Sequence, residues 1–154
     1  ENIDNKQLEY RYEVDFTQKM AIAYHSKASK ALEKETARGY YDIAINLYNE
    51  LLDLEVKNKE DILIKIGDIY TETEEYSASI EHFSNLVNKY PQSIKSYSKL
   101  INVLLDVEQK KDTQNRNYSQ IKSYYSMAEK LEGSNENEEF KKLKRRMANL
   151  EIIQ

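Results

Sequence analysis

The sequence predicts an all-α fold, and three observations support this prediction. The chain of 154 residues contains only three glycines and one proline, the residues that most often interrupt helices. Its apolar residues recur at intervals of three and four, which is the spacing of one helix face, and strand-like alternation is rare. Pairs of such segments also return along the chain at regular spacing. We therefore expect a series of antiparallel helix hairpins.

The composition excludes several classes of site. There is no cysteine, so disulfide scaffolds, thiolate zinc sites and cysteine nucleophiles are excluded. The net charge of −4 is small and mixed in sign, so no nucleic-acid partner is predicted. No run approaches the roughly 20 apolar residues of a membrane-spanning helix, so no insertion of this chain into a membrane is predicted. We expect no cofactor and no metal.

The first residue and the composition of the chain suggest its origin and cellular location. The chain begins at Glu1 rather than methionine, so we expect a processed form or a fragment of a longer protein. A cytoplasmic location is favoured, with an exported or membrane-tethered domain as the alternative. The frequent Asn, Lys, Ile and Tyr residues are typical of an AT-rich bacterial genome.

The N-terminal region allows two interpretations. Leu8, Tyr12 and Phe16 share one helical face. Asp15 and Gln18 resemble a capping box, which would start a new helix near Thr17. Alternatively, one long helix runs from about residue 5 to 37, because no glycine or proline interrupts it.

Gly39 is the predicted end of the first long helical segment. We expect that segment to bury a stripe formed by Met20, Ala23, Tyr24, Ala28, Ala31 and Leu32. Gly39 would then act as a C-terminal cap. The next helix would bury Ile43, Leu47, Leu51 and Leu54, with Ala44 and Tyr48 beside them. A connection of about two residues around Gly39 would make the pair antiparallel.

Two further helix pairs and a last helix follow. Helices are predicted at about 60–72 and 76–89, the second ended by Pro91. The third pair starts at Ser93, crosses a polar linker at 107–117 and ends with a helix at about 118–131. Gly133 breaks the chain before a final helix at about 137–151.

The spacing of aromatic residues suggests a repeat. Tyr41 to Tyr76 and Tyr48 to Phe83 are both 35 residues, and the next corresponding intervals, to Tyr118 and Tyr125, are both 42. The extra residues fall in the polar linker, where insertions cost little. A period near 34 built from paired helices resembles the tetratricopeptide repeat over about residues 25–133. The middle unit, 60–93, carries the most of that pattern, at Leu63, Ile66, Gly67, Tyr70, Tyr76, Ser79, Phe83, Leu86 and Pro91.

The resemblance implies a right-handed α-solenoid of about three repeats. The repeats would span 25–58, 60–93 and 94–133, with an N-terminal extension at 1–24 and a capping helix at 137–151, all in one domain. Leu32 and Ile101 occupy positions where the family has a small residue, which is a departure from its pattern.

The resemblance also implies a binding surface, because partners of this family lie against the concave wall of first helices. The wall positions comprise Ser26, Ser29, Lys30, Glu33, Asp61, Ile64, Lys65, Asp68, Lys95, Ser98, Lys99 and Asn102. Lys95 and Lys99 match a carboxylate clamp known in the family, but Ser29 and Glu33 do not, so the clamp is incomplete.

No catalytic pattern is recognisable. His25 and His82 have no partner at metal-ligand spacing, and no phosphate loop or nucleophile elbow is present. The thirteen tyrosines are expected to pack between helices. The basic run at 141–146 is interpreted as the outer face of a capping helix, with an acidic partner or membrane surface as the alternative.

The sequence therefore predicts a non-enzymatic module. Its predicted function is to bind a peptide or extended protein segment in the concave groove, as the regulatory or adaptor part of a larger bacterial protein. A peptide sensor attached to an output domain outside this chain is the alternative. An enzyme with converging carboxylates is a third hypothesis, which the even repeat spacing disfavours.

Overall fold

A computed structural model describes residues 5–54 and 56–153 of the chain. Within these residues there are seven α-helices, one short 3-10 helix at Thr113–Asn115, and no strand. The α-helices are α1 Asn5–Lys30, α2 Lys34–Asp53, α3 Lys59–Glu72, α4 Tyr76–Lys89, α5 Ile94–Lys110, α6 Ser119–Glu129 and α7 Glu138–Asn149. The predicted all-α class is confirmed.

The chain divides into two compact units. The first unit, Glu1–Glu74, contains α1 to α3, and the second, Glu75–Gln154, contains α4 to α7. The boundary lies in the polar turn of the predicted middle repeat, where Glu74 adopts a left-handed backbone conformation with φ 61°. The two helices of that predicted repeat, α3 and α4, therefore belong to different units.

The first unit is built on the hairpin of α1 and α2, with α3 packed on α2. Its core contains Ala21, Ala28, Tyr41, Ala44, Tyr48, Leu51, Ile62, Ile66 and Ile69. Both buried alanines of α1 lie on the side that meets α2, and such small side chains allow two helices to approach closely. The bulk of this core is thus supplied by α2 and α3.

The helix α1 is continuous, which resolves the two N-terminal alternatives in favour of a single helix. The capping box proposed at Asp15 does not form, because Asp15 lies in the interior of α1, where its side chain accepts a 2.7 Å hydrogen bond from Lys19 one turn later. The helix ends at Lys30, however, and not near residue 37.

The predicted turn at Gly39 is wrong. The chain turns at residues 31–33, and Gly39 lies inside α2. The residues before Gly39, with sequence KETAR, are mostly good helix formers, and a single interior glycine costs a helix only about 1 kcal/mol. Leu32, predicted to be buried, lies in the turn and is fully exposed.

The predicted buried faces of α1 and α2 are rotated by about one residue from the observed ones. On α1 the buried residues are Ala21, His25 and Ala28, while Ala23 is exposed. On α2, Ala44, Tyr48 and Leu51 are buried together with Tyr41, but Ile43 is 39% exposed. The apolar pattern alone misled here, because His25 is buried on α1 while the apolar Ala23 and Ile43 are exposed.

The second unit agrees more closely with the prediction. Its first helix, α4, has the predicted bounds. The helix before it, α3 of the first unit, begins one residue earlier than predicted. Ser93 caps α5 by accepting a 3.1 Å hydrogen bond from the backbone N–H of Ser96. The predicted inner residues of α4 and α5 are buried except Ile80, which is half-buried, and the set comprises Phe83, Leu86, Val87, Tyr97, Leu100, Ile101 and Leu104.

The polar linker at 107–117 is more ordered than expected. Its first residues extend α5 as far as Lys110. Glu108 then accepts hydrogen bonds from Lys111 Nζ at 2.6 Å and from the backbone N–H of Asn117 at 2.8 Å. Arg116 donates to the carbonyl oxygens of Lys111 and Gln109, both at 3.1 Å. These contacts close the loop before α6 begins.

The predicted stop at Gly133 is confirmed, since this residue has φ +80°, a conformation that favours glycine. Asn137 then caps α7 by accepting a 2.9 Å hydrogen bond from the backbone N–H of Phe140. None of the helices in the described ranges combines the length and the apolar character needed to span a membrane.

Candidate functional site

The helix α7 carries the densest basic run of the chain, and its apolar side is part of the core. Phe140, Leu143 and Met147 are buried. The ring of Phe140 stacks on that of Tyr125 in α6, with 5.3 Å between the ring centroids and 13° between the planes. This packing leaves the cationic side chains of α7 on its remaining sides.

One of these cations attaches α7 to α5. Arg146 donates to Asp106 Oδ1 at 2.6 Å and to Asn102 Oδ1 at 2.8 Å. Asn102 in turn donates to the carbonyl oxygen of Ser98 at 2.9 Å, which fixes its amide group. Arg146 is thus charge-compensated and has a structural role.

A cleft of about 500 Å³ opens beside this contact. It is lined by Gln109, Lys142, Arg145, Arg146, Asn149 and Leu150, and we call it the α5–α7 cleft. Lys142 and Arg145 are exposed, and neither takes part in a salt bridge with any residue in the described ranges. Two cations without a salt bridge therefore line a solvent-open cleft, an arrangement that attracts anionic groups. Both also act at longer range on the carboxylate of Glu138, whose pKa they help to lower.

The predicted wall residues of α5 belong to the second unit, and they differ in how accessible they are to solvent. Lys95 is exposed and Lys99 is half-buried. Ser98 is 1% exposed, and its buried hydroxyl has no hydrogen-bond partner among the described residues. Asn102 is engaged by Arg146. Lys95, Lys99 and Asn102 nevertheless share one helical face, because they are spaced by four and three residues.

The predicted wall residues of α3 also differ in accessibility. Asp61 and Lys65 are exposed and Asp68 is half-buried, but Ile64 is only 7% exposed. Lys65 belongs to the first unit, whereas Lys95 and Lys99 belong to the second.

Of the predicted wall residues of the first repeat, Ser26, Ser29 and Lys30 share one face of α1, but Glu33 lies outside the helix. Lys30 is the last residue of α1, and Glu33 lies in the turn, where it accepts a 3.2 Å hydrogen bond from Thr36. Ser26 is exposed, and Ser29 donates to Glu72 at 2.9 Å. The displaced turn is the cause, since it removes the helical turn on which Glu33 was expected.

A second polar cluster, which the sequence did not predict, joins the three helices of the first unit. His25 Nε2 lies 3.2 Å from both carboxylate oxygens of Glu72. Tyr41 donates its hydroxyl proton to Glu72 at 2.8 Å, and Ser29 is the third donor. Because a carboxylate only accepts, His25 carries its proton on Nε2. We call these four residues the Glu72 cluster.

The electrostatics of this cluster favour a structural role. The hydrogen bond from His25, with smaller contributions from Tyr41 and Ser29, lowers the pKa of Glu72 to about 2. Burial raises the pKa of Tyr41, and it raises the pKa of Tyr48, whose ring meets His25 edge-on, to about 12. Glu72 therefore stays charged and is a poor proton acceptor at neutral pH.

The order of the groups also differs from that of a nucleophilic triad. In such a triad the histidine lies between the serine and the acid. Here the acid lies between Ser29 and His25, so the serine is not activated by the imidazole. Within residues 5–54 and 56–153, no three His, Cys, Asp or Glu side chains converge in a way that could hold a metal ion.

Sequence reasoning missed the contact of His25 with Glu72 and the contact of Arg146 with α5, because each joins residues that are far apart in the chain. His25 and Glu72 are 47 residues apart, and no local spacing relates them. The pairing of Arg146 with α5 left a weak signal, since Asn102 and Asp106 are one turn apart and place two acceptors on one face.

No protein-family model matches the chain, and no curated protein sequence matches it at a significant level.

Proposed function

We propose that the chain is a protein-interaction module and that its α5–α7 cleft binds an acidic, extended segment of a partner protein. The observation that carries this proposal is the presence of Lys142 and Arg145 in the cleft without a salt-bridge partner among the described residues. The proposal keeps the predicted function but moves the binding surface from the concave wall to the edge shared by α5 and α7.

The chemistry of the cleft suits carboxylates. Arg145 can hold a carboxylate through two parallel N–H donors, and Lys142 adds a second positive charge. The side-chain nitrogen of Gln109 donates to the hydroxyl of Tyr118 at 2.6 Å, which leaves its side-chain oxygen Oε1 to accept a backbone N–H of the peptide. Leu150, which is half-buried, gives the cleft an apolar contact for a peptide side chain.

The positive surface also extends along α5. Lys95 and Lys99 lie on the same face as Asn102 and Asp106, N-terminal to the cleft. Lys95 precedes Gln109 by 14 residues, which corresponds to about 21 Å of helix. About six or seven extended residues span that distance, so a short acidic segment could reach from the cleft to both lysines.

Two other partners receive less support. A membrane surface would be bound by the apolar side of an amphipathic helix, but Phe140, Leu143 and Met147 of α7 are buried in the core. A nucleic acid would require a broad positive surface, whereas the chain has a net charge of −4.

We further propose that the helices form a solenoid of repeats similar to tetratricopeptide repeats, within a larger bacterial regulatory or adaptor protein. The bounds of α3 and α4 support this proposal, because they fall within a residue of those expected for the middle repeat. In this proposal the first repeat has limits other than 25–58, because the chain turns at residues 31–33.

The proposal is tested with a defined acidic probe. A fluorescein-labelled peptide of ten glutamates is titrated with the chain, and binding is followed by fluorescence anisotropy at low and physiological salt. We expect binding that weakens as salt increases. The double variant Lys142→Glu/Arg145→Glu should bind about tenfold more weakly or worse, since it reverses both positive charges that line the cleft without a salt bridge.

The matched control is Lys122→Glu/Lys130→Glu, which makes the same change of charge at exposed positions in and just after α6. This control should bind within about twofold of the original chain. Equal weakening by both double variants would indicate nonspecific attraction and contradict the proposal. Binding of a labelled single-stranded oligonucleotide in preference to the peptide would contradict it as well.

A further inference from the structure

The helix α1 has an exposed apolar face in addition to the one that packs on α2. Tyr12 is 67% exposed, Phe16 66%, Ile22 50% and Leu8 40%. The buried residues of α1, including Ala21 and Ala28, lie on the opposite side of the helix. Four large apolar side chains on one exposed face are unusual for a helix packed in a monomer.

The exposed face has the spacing of a coiled-coil seam. Leu8, Tyr12, Asp15, Lys19, Ile22 and Ser26 are separated by four, three, four, three and four residues, and we call this set the outer seam of α1. All six residues are exposed. Phe16 lies immediately beside the seam and would cover its centre.

The outer seam carries one charge of each sign at its centre. Asp15 and Lys19 are one turn apart, are joined by a 2.7 Å salt bridge, and are both more than half exposed. A two-fold axis midway between them exchanges their positions when a second helix runs antiparallel. Asp15 of each chain then faces Lys19 of the other chain, so a dimer contains two such contacts.

The same two-fold axis also matches two of the three apolar positions of the outer seam, Tyr12 and Ile22. It places Tyr12 of one chain opposite Ile22 of the other on each side of the charged centre, and Leu8 opposite Ser26. A parallel arrangement would instead place Asp15 against Asp15 and Lys19 against Lys19, which is repulsive. The seam is thus complementary to itself in one orientation.

We propose that the outer seam of α1 binds a second copy of this chain, forming an antiparallel α1–α1 homodimer. The proposal concerns the first unit and is independent of the acidic partner proposed for the second. Self-complementarity in both charge and apolar positions selects a second copy over an unrelated helix, for which no such symmetry is required.

The test is a charge exchange monitored by sedimentation equilibrium from about 1 µM to about 1 mM chain. We expect the original chain to form a concentration-dependent dimer. Asp15→Lys and Lys19→Asp should each raise the dissociation constant about tenfold or more, because each places like charges opposite one another at both central contacts. The double variant Asp15→Lys/Lys19→Asp should restore the original constant.

A matched pair of truncations tests the apolar contacts. Tyr12→Ser should weaken the dimer, whereas Leu32→Ser, at a fully exposed leucine in the turn, should leave it unchanged. Circular dichroism of each variant verifies that the helices are retained. An original chain that remains monomeric throughout, a dimer insensitive to Asp15→Lys, or a double variant that fails to recover would each overturn the proposal.

Discussion

Glu72 holds three helices together through one carboxylate. It accepts hydrogen bonds from His25 and Ser29 on α1 and from Tyr41 on α2, while it belongs to α3. Sharing one charge among three donors stabilises the charged form strongly, which is the reason its pKa falls to about 2. The cluster fixes the position of α3 against the hairpin.

The contribution of Glu72 to the free energy of unfolding should depend on pH. Its folded-state pKa lies below the ordinary value of 4.5, so its contribution is present above pH 4.5 and is lost as the pH falls toward about 2. We expect Glu72→Gln to lower the free energy of unfolding at pH 6 by about 1 kcal/mol, a modest loss because the side chain is 39% exposed.

The measurement is thermal unfolding of the original chain and of Glu72→Gln between pH 6 and pH 2. The difference in melting temperature should shrink as the pH falls through this window. Glu50→Gln, at an exposed acid on α2, is the control and should show almost no difference at any pH. A constant difference for Glu72→Gln would mean that the carboxylate is not charged within the network.

The Glu72 cluster also marks the limit of residue-level prediction. The sequence shows no second ligand at metal-ligand spacing from His25 or His82. It offered no means of pairing His25 with an acid on another helix, because 27 acidic residues supply many equivalent candidates. Such pairings depend on tertiary packing alone.

At the level of elements, the two glycines outside α3 have different roles. Gly39 lies inside α2, and a Cβ atom added there would meet no atom within 4 Å. Gly133 has φ +80°, where a side chain is strained even though space is open. The first glycine is therefore replaceable, and the second is required by its backbone conformation.

Alanine substitutions at these glycines should have opposite effects. Gly39→Ala should stabilise the chain by about 0.5–1 kcal/mol, because alanine is the better helix former. Gly133→Ala should destabilise it by about 1 kcal/mol, because of its left-handed conformation. Urea unfolding of both variants gives the two signs. Destabilisation by Gly39→Ala would instead support the turn that the sequence predicted at this position.

Helix boundaries were predictable where capping residues agreed with the apolar pattern. Pro91, Ser93 and Gly133 marked real ends, and the helices around them were placed within one to four residues. Gly39 was misleading, because a glycine alone does not end a helix whose neighbours favour it.

At the scale of the whole molecule, the two proposed surfaces are carried by different units. The outer seam of α1 lies in the first unit and is apolar with one central ion pair. The α5–α7 cleft lies in the second unit and is cationic. Substitutions in one unit can therefore test one surface without altering the residues of the other.

The fold class was predictable because helical periodicity depends on local spacing, which the sequence displays directly. The candidate site was only partly predictable. The basic run at 141–146 was visible, but its partner face on α5 left only a weak signal, the spacing of Asn102 and Asp106 by one turn. Ile64 and Ser98 were expected at an open wall and are buried, since repeat position alone does not determine which side of a helix is covered.

The central claim is that the α5–α7 cleft recognises an acidic segment, and chemical-shift mapping tests it most directly. Isotope-labelled chain is titrated with the ten-glutamate peptide, and backbone amide shifts are recorded. The account predicts the largest changes at Gln109, Lys142, Arg145 and Asn149, with smaller changes at Lys99 and little change within α1 to α3. Shifts confined to the first unit, or no shifts at peptide concentrations near 1 mM, would contradict it.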